Sequence, residues 1–308
     1  MGDINPILLI ASLMVASTPI LFAALGELVV ERAGVLNLGV EGMMITGAVI
    51  GFAAGVGTGS ATVGFICAAL GGAALSLIFG VLTQLFLSNQ VATGLGLTLF
   101  GLGLASMIGQ SYVGIRAPST AKIDIPVLTD IPVIGPILFH HDLLVYIGLL
   151  MVALVWYFLA RTRAGLILRA VGENHEAAHA LGYKVVRIRL AAIAFGGAMA
   201  GVGGAYLSII RVPQWTEGLT AGAGWIALAI VVFASWRPIR LLIGAYLFGG
   251  ITVLQLNLQA AGARVPVEIL SMSPYLVTII VLVILSAGKA GAALGAPGSL
   301  GRSFHASR

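Results

Sequence analysis

The chain has 308 residues, of which 59% are hydrophobic and only 9% carry a charged side chain. A soluble domain carries about 25% charged residues, so these charges are too few to cover a water-soluble globule of this size. The formal net charge of +5 does not indicate a nucleic-acid partner, because the basic residues stand between apolar segments, where membrane topology accounts for them.

Apolar runs long enough to cross a bilayer as helices recur along the chain, with none of the short alternating segments of a membrane β-barrel. We therefore predict an all-α membrane protein, a single transmembrane domain over residues 1–308. It is a polytopic bundle of about nine helices, with eight to ten as the range. The short, glycine-led run at 220–235 indicates a half-helix preceded by a re-entrant turn. The predicted spans are residues 7–28, 34–56, 61–87, 91–111, 143–160, 190–210, 220–235, 241–260 and 269–287.

The first two spans meet in a polar cluster, ELVVERAGVLNLGVEGMM at residues 27–44. Ionisable groups inside a membrane are costly and face a bundle interior or an aqueous path. Asn37 and Glu41 are four residues apart and are expected on one face of the second helix, which makes them candidate translocation-path residues. The alternative is a structural cluster in which Glu31 or Glu41 pairs with Arg32.

Residues 112–142 form the longest predicted external loop and contain four prolines. Proline lacks an N–H group and interrupts helices. We expect short turns and helical stubs in this loop.

The most polar long segment, residues 161–189, holds six of the sixteen basic residues. Within it, HEAAH at residues 175–179 matches the HExxH zinc pattern, with two histidines one helical turn apart. A catalytic zinc needs a third protein ligand, and the position of the third histidine in the longer pattern holds Val185. We predict no metal and no catalytic residue here, and keep a membrane zinc protease as an alternative from another class.

The same loop has the features of a docking element. Asn174 is a predicted helix N-cap and Gly182 a predicted C-terminal stop, with a short helix between them. Basic residues collect in cytoplasmic loops. Placing this loop in the cytoplasm puts twelve of the sixteen basic residues there, together with the C-terminal tail, residues 288–308. The tail is rich in Gly, Ala and Ser, and we expect it to be loose.

Two later spans carry further patterns. Glycines and alanines at four-residue spacing in residues 191–206 predict close helix packing. The span at 241–260 contains Gln255, Asn257 and Gln259, which we add as candidate path residues. Gln255 and Gln259 share a helix face and either meet a polar solute or hydrogen-bond to a neighbouring helix.

Several of these segments together resemble the integral-membrane permease subunits of ATP-binding-cassette (ABC) importers of the branched-chain amino acid, ribose and nucleoside group. The resemblance is to the shorter of the two permeases in bacterial nucleoside importers of the simple-sugar type. It rests on ERAGVLNLGVEGMMITGA at 31–48, IPVLTDIPVIGPILF at 125–139, GENHEAAHALGYKVVRIRLAAIAFGGAMAGVGGAYLS at 172–208, GWIALAIVVFASWRP at 224–238 and GAPGSLG at 295–301.

The resemblance implies a role for the polar loop. In such importers a loop of this kind supplies the coupling helix, which sits in a cleft of the ATPase and follows its closure. The family pattern has a proline after the asparagine, where this chain has His175. Carried over to this sequence, the ATPase-coupling residues are Gly172, Glu173, Asn174, Glu176, Ala177, Ala178, Leu181 and Gly182.

The resemblance also implies the ABC importer permease fold, a multi-pass location in the bacterial inner membrane and a transport function without enzymatic activity. The implied partners are a second, different permease, an ABC ATPase and an external substrate-binding lipoprotein. The chain has no GxxxxGK[ST] pattern, so ATP and Mg²⁺ are expected on the ATPase, with no cofactor on this chain. The expected solute is a nucleoside, with a simple sugar such as ribose as the alternative. A different alternative is an ion-coupled secondary transporter with Glu41 as its proton or sodium site.

Overall fold

The computed structural model describes residues 6–120, 122–124, 131, 134–260, 266, 269, 272–273, 275–277, 279–280, 283 and 295–305. This part of the chain is a bundle of helices. A 3₁₀ turn at Gln110–Tyr112 follows α4, and a π-helical turn at Tyr206–Arg211 follows α9. The elements are α1 Pro6–Arg32, α2 Val40–Thr58, α3 Ala61–Gln84, α4 Gln90–Gly109, β1 Lys122–Asp124, α5 Ile134–Leu138, β2 His140–Asp142, α6 Leu143–Arg161, α7 Arg163–Glu173, α8 His175–Ala180, α9 Val185–Ala205, α10 Ala223–Phe233 and α11 Pro238–Ala260.

The predicted helical membrane bundle is confirmed, but the predicted count of about nine spans is not. Seven helices in the described residues are long and apolar enough to cross a membrane. The predicted span 220–235 contains α10, which has 11 residues. A helix of that size is about 16 Å long and cannot cross a hydrocarbon layer of about 30 Å. Most of the predicted span 269–287 lies outside the described residues.

Glycine contacts hold the centre of the bundle together. A Cβ atom on Gly201 of α9 would lie 2.2 Å from the carbonyl oxygen of Ala68 in α3. One on Gly204 would lie 1.9 Å from the carbonyl oxygen of Met44, and one on Gly47 would lie 2.2 Å from the Cα atom of Gly201. These neighbours are backbone atoms, which cannot rotate away. The predicted close packing of α9 is therefore confirmed, with α2 and α3 as its partners.

One end of the bundle, which we call the loop end, gathers α7, α8 and the C-terminal residues 295–305. Arg32, at the end of α1, donates to the carbonyl oxygen of Trp236, between α10 and α11. Arg189, near the start of α9, donates to Gln84 at the end of α3 and to the carbonyl oxygen of Arg302 in the tail. The basic segments that the sequence placed on one side of the membrane thus lie together.

The described residues of the predicted external loop lie at the opposite end, which we call the far end. β1 and β2 pair antiparallel, with Lys122 opposite Asp142, and Val113 forms a parallel bridge with Trp215. In the described part of this loop, the residues that follow the 3₁₀ turn form turns and isolated bridges, the five-residue helix α5 and two three-residue strands. The predicted short turns and stubs are confirmed for these residues.

We predict that Gly201→Ala destabilises the protein by about 1–3 kcal/mol, because the added methyl group must displace backbone. The matched control is Gly103→Ala in α4, where a Cβ atom would meet nothing within 4 Å. Thermal unfolding in detergent measures both. Equal unfolding temperatures for the two variants would contradict the close contact at Gly201.

Candidate functional site

The polar loop between α6 and α9 folds into the two short helices α7 and α8. The side-chain oxygen of Asn174 accepts the N–H of Ala177 at 2.9 Å and so caps α8. Gly182 has φ +85° and donates its N–H to the carbonyl oxygen of His179 at 2.8 Å. Glycine adopts this left-handed conformation without the penalty that a side chain adds. The predicted N-cap and helix stop are both confirmed.

Six of the eight predicted coupling residues are exposed on this short helix or directly beside it. Leu181 is 77% exposed, although burying a leucine is worth about 1.5–3 kcal/mol. Small neighbours around an exposed leucine leave the backbone accessible to a partner with a matching cleft. The role of these residues stays a prediction. We call them the α8 surface: Glu173, Asn174, Glu176, Ala177, Leu181 and Gly182.

The other two predicted coupling residues point inward and fix the loop. A Cβ atom on Gly172 would lie 2.1 Å from the carbonyl oxygen of Arg32, so α7 touches the end of α1 through backbone. Ala178 is 2% exposed and packs in a small apolar cluster with Val171, Val185 and Phe304. The loop is thus a positioned element of the bundle.

The C-terminal tail is bound to this loop, and the expectation that it is loose is wrong for residues 295–305. Ser299 donates its N–H to the carbonyl oxygen of Gly172 at 2.8 Å, and its hydroxyl oxygen accepts the N–H of His175 at 3.2 Å. Gly301 donates to the carbonyl oxygen of Gly34 at 3.3 Å. These backbone contacts anchor a segment whose small residues alone indicate flexibility.

The two histidines of HEAAH hold a phenylalanine of the tail. The ring of Phe304 lies 5.3 Å from the ring of His175 and 5.2 Å from that of His179, both edge to face. Phe304 is only 6% exposed. Among the described residues, no group of three His, Cys, Asp or Glu side chains is placed to hold a metal ion. The two histidines, one helical turn apart, both pack against the aromatic ring of Phe304.

His175 is also bonded to Arg189. Its Nδ1 lies 3.1 Å from Nη2 of Arg189, and because arginine only donates, this nitrogen is the acceptor. Burial, followed by the positive charge of Arg189, lowers the pKa of His175. The neutral ring that can accept this hydrogen bond is thereby favoured.

Arg189 is the side chain that joins the loop to the membrane helices, and it is 0% exposed. Its guanidinium donates to four groups from four parts of the chain. These are the carbonyl oxygen of Ala33 at 3.1 Å, the side-chain oxygen of Gln84 at 3.3 Å, the carbonyl oxygen of Arg302 at 3.1 Å and Nδ1 of His175 at 3.1 Å. In the sequence, Arg189 stands out only as one of the basic residues that set the topology. The signal that could have identified its role is a cation at the edge of an apolar span, which must find acceptors.

Glu41 holds the start of the half-helix α10. Its carboxylate accepts the N–H of Gly222 at 2.9 Å, the N–H of Gly224 at 2.7 Å and the hydroxyl of Thr220. A carboxylate at a helix N-terminus is stabilised by the free N–H groups and by the helix dipole. Neither alternative from the sequence foresaw this contact. Glu41 is 5% exposed, and Arg32 donates instead to carbonyl oxygens.

Asn37 does not share a helix face with Glu41, so that expectation is wrong. α2 begins only at Val40. Glu27 accepts the backbone N–H of Asn37 at 3.3 Å, while the side-chain oxygen of Asn37 accepts the N–H of Gly39 at 2.9 Å. These bonds hold the segment before α2 in a turn, so Asn37 lies outside the helix.

A cavity of about 510 Å³, which we call the far-end cavity, opens between α1, the π-helical turn, the start of α10 and α11. Gln255 lines it, together with Thr220, which is bonded to Glu41. The cavity thus touches the segment that Glu41 anchors. Polar residues in its wall that the sequence analysis did not name are Arg211, Thr220, Thr252 and Tyr275.

The other two candidate path residues of α11 lie elsewhere. The side chain of Asn257 donates to the carbonyl oxygen of Val253 in its own helix at 2.8 Å. The Nε2 atom of Gln259 is buried and has no hydrogen-bond partner in the described part of the chain. The geometry therefore brings Gln255 together with the Glu41 anchor, but not Asn257 or Gln259. The assignment of all five residues to a path stays a prediction.

Nearly the whole chain matches one known family. The family described as "Branched-chain amino acid transport system / permease component" matches residues 9–288. No solved structure matches the chain.

Three curated proteins are similar from end to end. The putative glucose ABC transporter permease protein TsgC13 of Haloferax volcanii is 40% identical, over 94% of this chain and 95% of its own. The nucleoside ABC transporter permease protein NupC of Lactococcus lactis is 34% identical, over 92% and 93%. The guanosine ABC transporter permease protein NupQ of Bacillus subtilis is 31% identical, over 89% and 91%.

We predict that Phe304→Ala releases the tail from the loop. Removing a buried phenylalanine ring costs about 3–5 kcal/mol in a protein core. Even a loss of about 2 kcal/mol would raise the population of molecules with a detached tail roughly 30-fold. The rate of trypsin cleavage after Arg302 follows that population. The control is His305→Ala, because His305 is exposed. Equal cleavage rates in the two variants would show that Phe304 does not anchor the tail.

We predict that Glu41→Ala destabilises the protein by about 2–4 kcal/mol, because the buried N–H of Gly224, the partly buried N–H of Gly222 and the hydroxyl of Thr220 lose a charged acceptor. Glu41→Gln keeps one acceptor oxygen and is expected to fall between the wild type and Glu41→Ala in thermal unfolding. The matched control is Glu217→Ala, since Glu217 is exposed and accepts the hydroxyl of Ser106. If Glu41→Ala unfolds no earlier than this control, Glu41 is not the anchor of α10.

Proposed function

The chain belongs to the permease family of ABC importers, and on that premise we propose that it passes a nucleoside through the membrane. Its activity is transport, and it is not an enzyme. The observation that carries the proposed solute is end-to-end similarity to two permeases whose names specify nucleosides, at 34% and 31% identity. The far-end cavity supports it chemically.

The cavity walls suit a base linked to a ribose. Phe248 and Tyr275 both line the cavity, and their ring centroids lie 6.2 Å apart, edge to face. Aromatic faces stack on nucleobases, and the amide of Gln255 can pair with a base edge. The hydroxyls of Thr220 and Thr252 suit the hydroxyls of a sugar.

A simple sugar is the second candidate. The relative named as a putative glucose permease is 40% identical, higher than the 34% and 31% of the two nucleoside relatives. The cavity hydroxyls would serve a sugar as well, and the aromatic rings can pack against its apolar face. A competition assay, which measures which solutes inhibit uptake, is therefore needed to distinguish the nucleoside from the sugar.

We propose that the α8 surface docks into a cleft of an ABC ATPase. The support is its exposed leucine, its capped ends and its attachment through Gly172 and Arg189 to the membrane helices. The chain itself has no nucleotide-binding pattern, so ATP and Mg²⁺ belong on the ATPase. Permeases of this family work with an ATPase and a substrate-binding protein. We further propose that this chain assembles with a second, different permease and that its substrate-binding protein is an external lipoprotein.

The proposed topology places the loop end in the cytoplasm of a bacterial cell, inside the inner membrane. Its support is the gathering of basic residues at that end. In the proposed cycle the binding protein delivers solute at the far end. ATP-driven closure of the ATPase then moves α8, and this motion opens the path inward.

The solute is tested by uptake in cells that co-express the permeases, the ATPase and the lipoprotein. The measurement is competition against labelled guanosine by unlabelled nucleosides, glucose and ribose. We expect nucleosides to compete and the sugars to fail. Transport of labelled glucose that guanosine does not inhibit would instead establish the second candidate. An uncoupler that abolishes uptake in cells without the ATPase would favour an ion-coupled transporter.

We predict that Leu181→Asp combined with Glu173→Ala lowers uptake at least about tenfold, because a charge replaces an apolar anchor worth about 1.5–3 kcal/mol. Membrane abundance and thermal unfolding should stay at the wild-type level, since both side chains are exposed. The control is Arg187→Ala, an exposed residue of α9 outside the α8 surface. Wild-type uptake in the double variant would rule out docking through α8.

A further inference from the structure

A second pocket lies at the loop end, and none of its lining residues belongs to the α8 surface or to the far-end cavity. Its volume is about 450 Å³, and it opens between the ends of α1 and α6, helix α7 and the start of α11. Four arginines line it, Arg32, Arg169, Arg237 and Arg240. Neither the family description nor the names of the relatives assign a role to this pocket.

The positive charge in this pocket is poorly compensated. Arg32 donates to the carbonyl oxygens of Trp236 at 2.9 Å and Gly295 at 3.3 Å, which are neutral groups. The Nε atom of Arg169 is buried and has no hydrogen-bond partner in the described residues. Arg169 and Arg237 both repel the charge of Arg32, which Glu173 attracts. A buried donor without an acceptor and a surplus of cations both favour an anion.

The same pocket has an apolar wall. Trp156 of α6 is 40% exposed and Ile239 of α11 is 56% exposed, and both helices have membrane-spanning length. On α11 the exposed apolar row continues with Ile243 and Leu247, at 60% and 42%. Residues four apart share one helix face. The pocket thus joins a cationic floor at the helix ends to an apolar track along a membrane helix.

We propose that this pocket binds an anionic phospholipid of the surrounding membrane. The arginines hold the phosphate of the headgroup, and one acyl chain follows the exposed row of α11. Basic pockets between membrane helices bind anionic headgroups, and tryptophan favours the membrane interface. This site goes beyond solute transport and does not depend on which solute is carried.

The apolar track decides between this occupant and others with the same charge. A free phosphate would use the arginines but leave Trp156 and Ile239 without a partner. An acidic segment of an ATPase would approach from the water phase, whereas the wall formed by α6 and α11 continues along the membrane helices. An anionic phospholipid has a charged headgroup for the arginines and an acyl chain for the apolar wall, so it accounts for both parts of the pocket.

Native mass spectrometry of the purified full-length chain tests the proposal by titration with phosphatidylglycerol, phosphatidylcholine and inorganic phosphate. We expect tight binding of phosphatidylglycerol alone. Each arginine near an anionic membrane surface contributes about 1 kcal/mol, so Arg169→Gln combined with Arg240→Gln should weaken binding roughly 30-fold. The control, Arg187→Gln, removes an exposed arginine outside the pocket and should bind as the wild type does.

Tryptophan fluorescence gives an independent test that does not rely on the arginine variants folding. Brominated phosphatidylglycerol should quench wild-type fluorescence more than brominated phosphatidylcholine does. This difference should shrink in Trp156→Phe, which leaves Trp236 as the one other tryptophan in the pocket lining. Equal quenching by both lipids, or displacement of phosphatidylglycerol by inorganic phosphate, would overturn the proposal. Loss of the bound lipid when the ATPase assembles with the chain would assign the pocket to that protein instead.

Discussion

The burial of one guanidinium group determines how the loop end is built. Taking an arginine out of water costs several kcal/mol, which hydrogen bonds to its donors must offset, and Arg189 is 0% exposed. Its acceptors come from the α1–α2 junction, α3, α8 and the tail. None of these segments can move alone without leaving a buried donor unpaired. The polar loop, the tail and three membrane helices therefore form one unit at this end of the molecule.

From Arg189 a continuous series of contacts leads to the far-end cavity. α9 runs from this residue to the glycine contacts that fix it against α2 and α3, where backbone touches backbone. Glu41 lies in the first turn of α2, and its carboxylate accepts hydrogen bonds from the start of α10 and from Thr220. Thr220 is a residue of the cavity wall. Such contiguous packing is the physical basis on which a displacement at one site reaches another. We propose that closure of the ATPase reaches the solute path along this route.

The helices and their caps depend on neighbouring residues and could be predicted from the sequence. The contacts between residues far apart in the chain could not. The apolar runs predicted most of the helices, and the caps at Asn174 and Gly182 followed from local hydrogen bonding. The bond between Glu41 and Thr220 joins residues 179 positions apart, so no local pattern could indicate it. The small residues of the tail indicated flexibility. The contact that anchors the tail, between Phe304 and the two histidines, joins distant parts of the chain and could not be predicted from composition. HEAAH shows the same limit, because its local spacing matches a zinc pattern whereas its contact with Phe304 joins it to a distant part of the chain.

We infer that Arg189 couples the loop to the membrane helices. Uptake per ATP hydrolysed, measured in the reconstituted transporter carrying Arg189→Lys, tests it most directly. Lysine keeps the charge, but its single ammonium cannot reach four acceptors arranged for a planar guanidinium. We predict that ATP hydrolysis stays within about twofold of the wild type while uptake per ATP falls roughly tenfold, the loss expected when about 1.4 kcal/mol of coupling is removed. An unchanged ratio of uptake to hydrolysis would show that Arg189 does not couple the two.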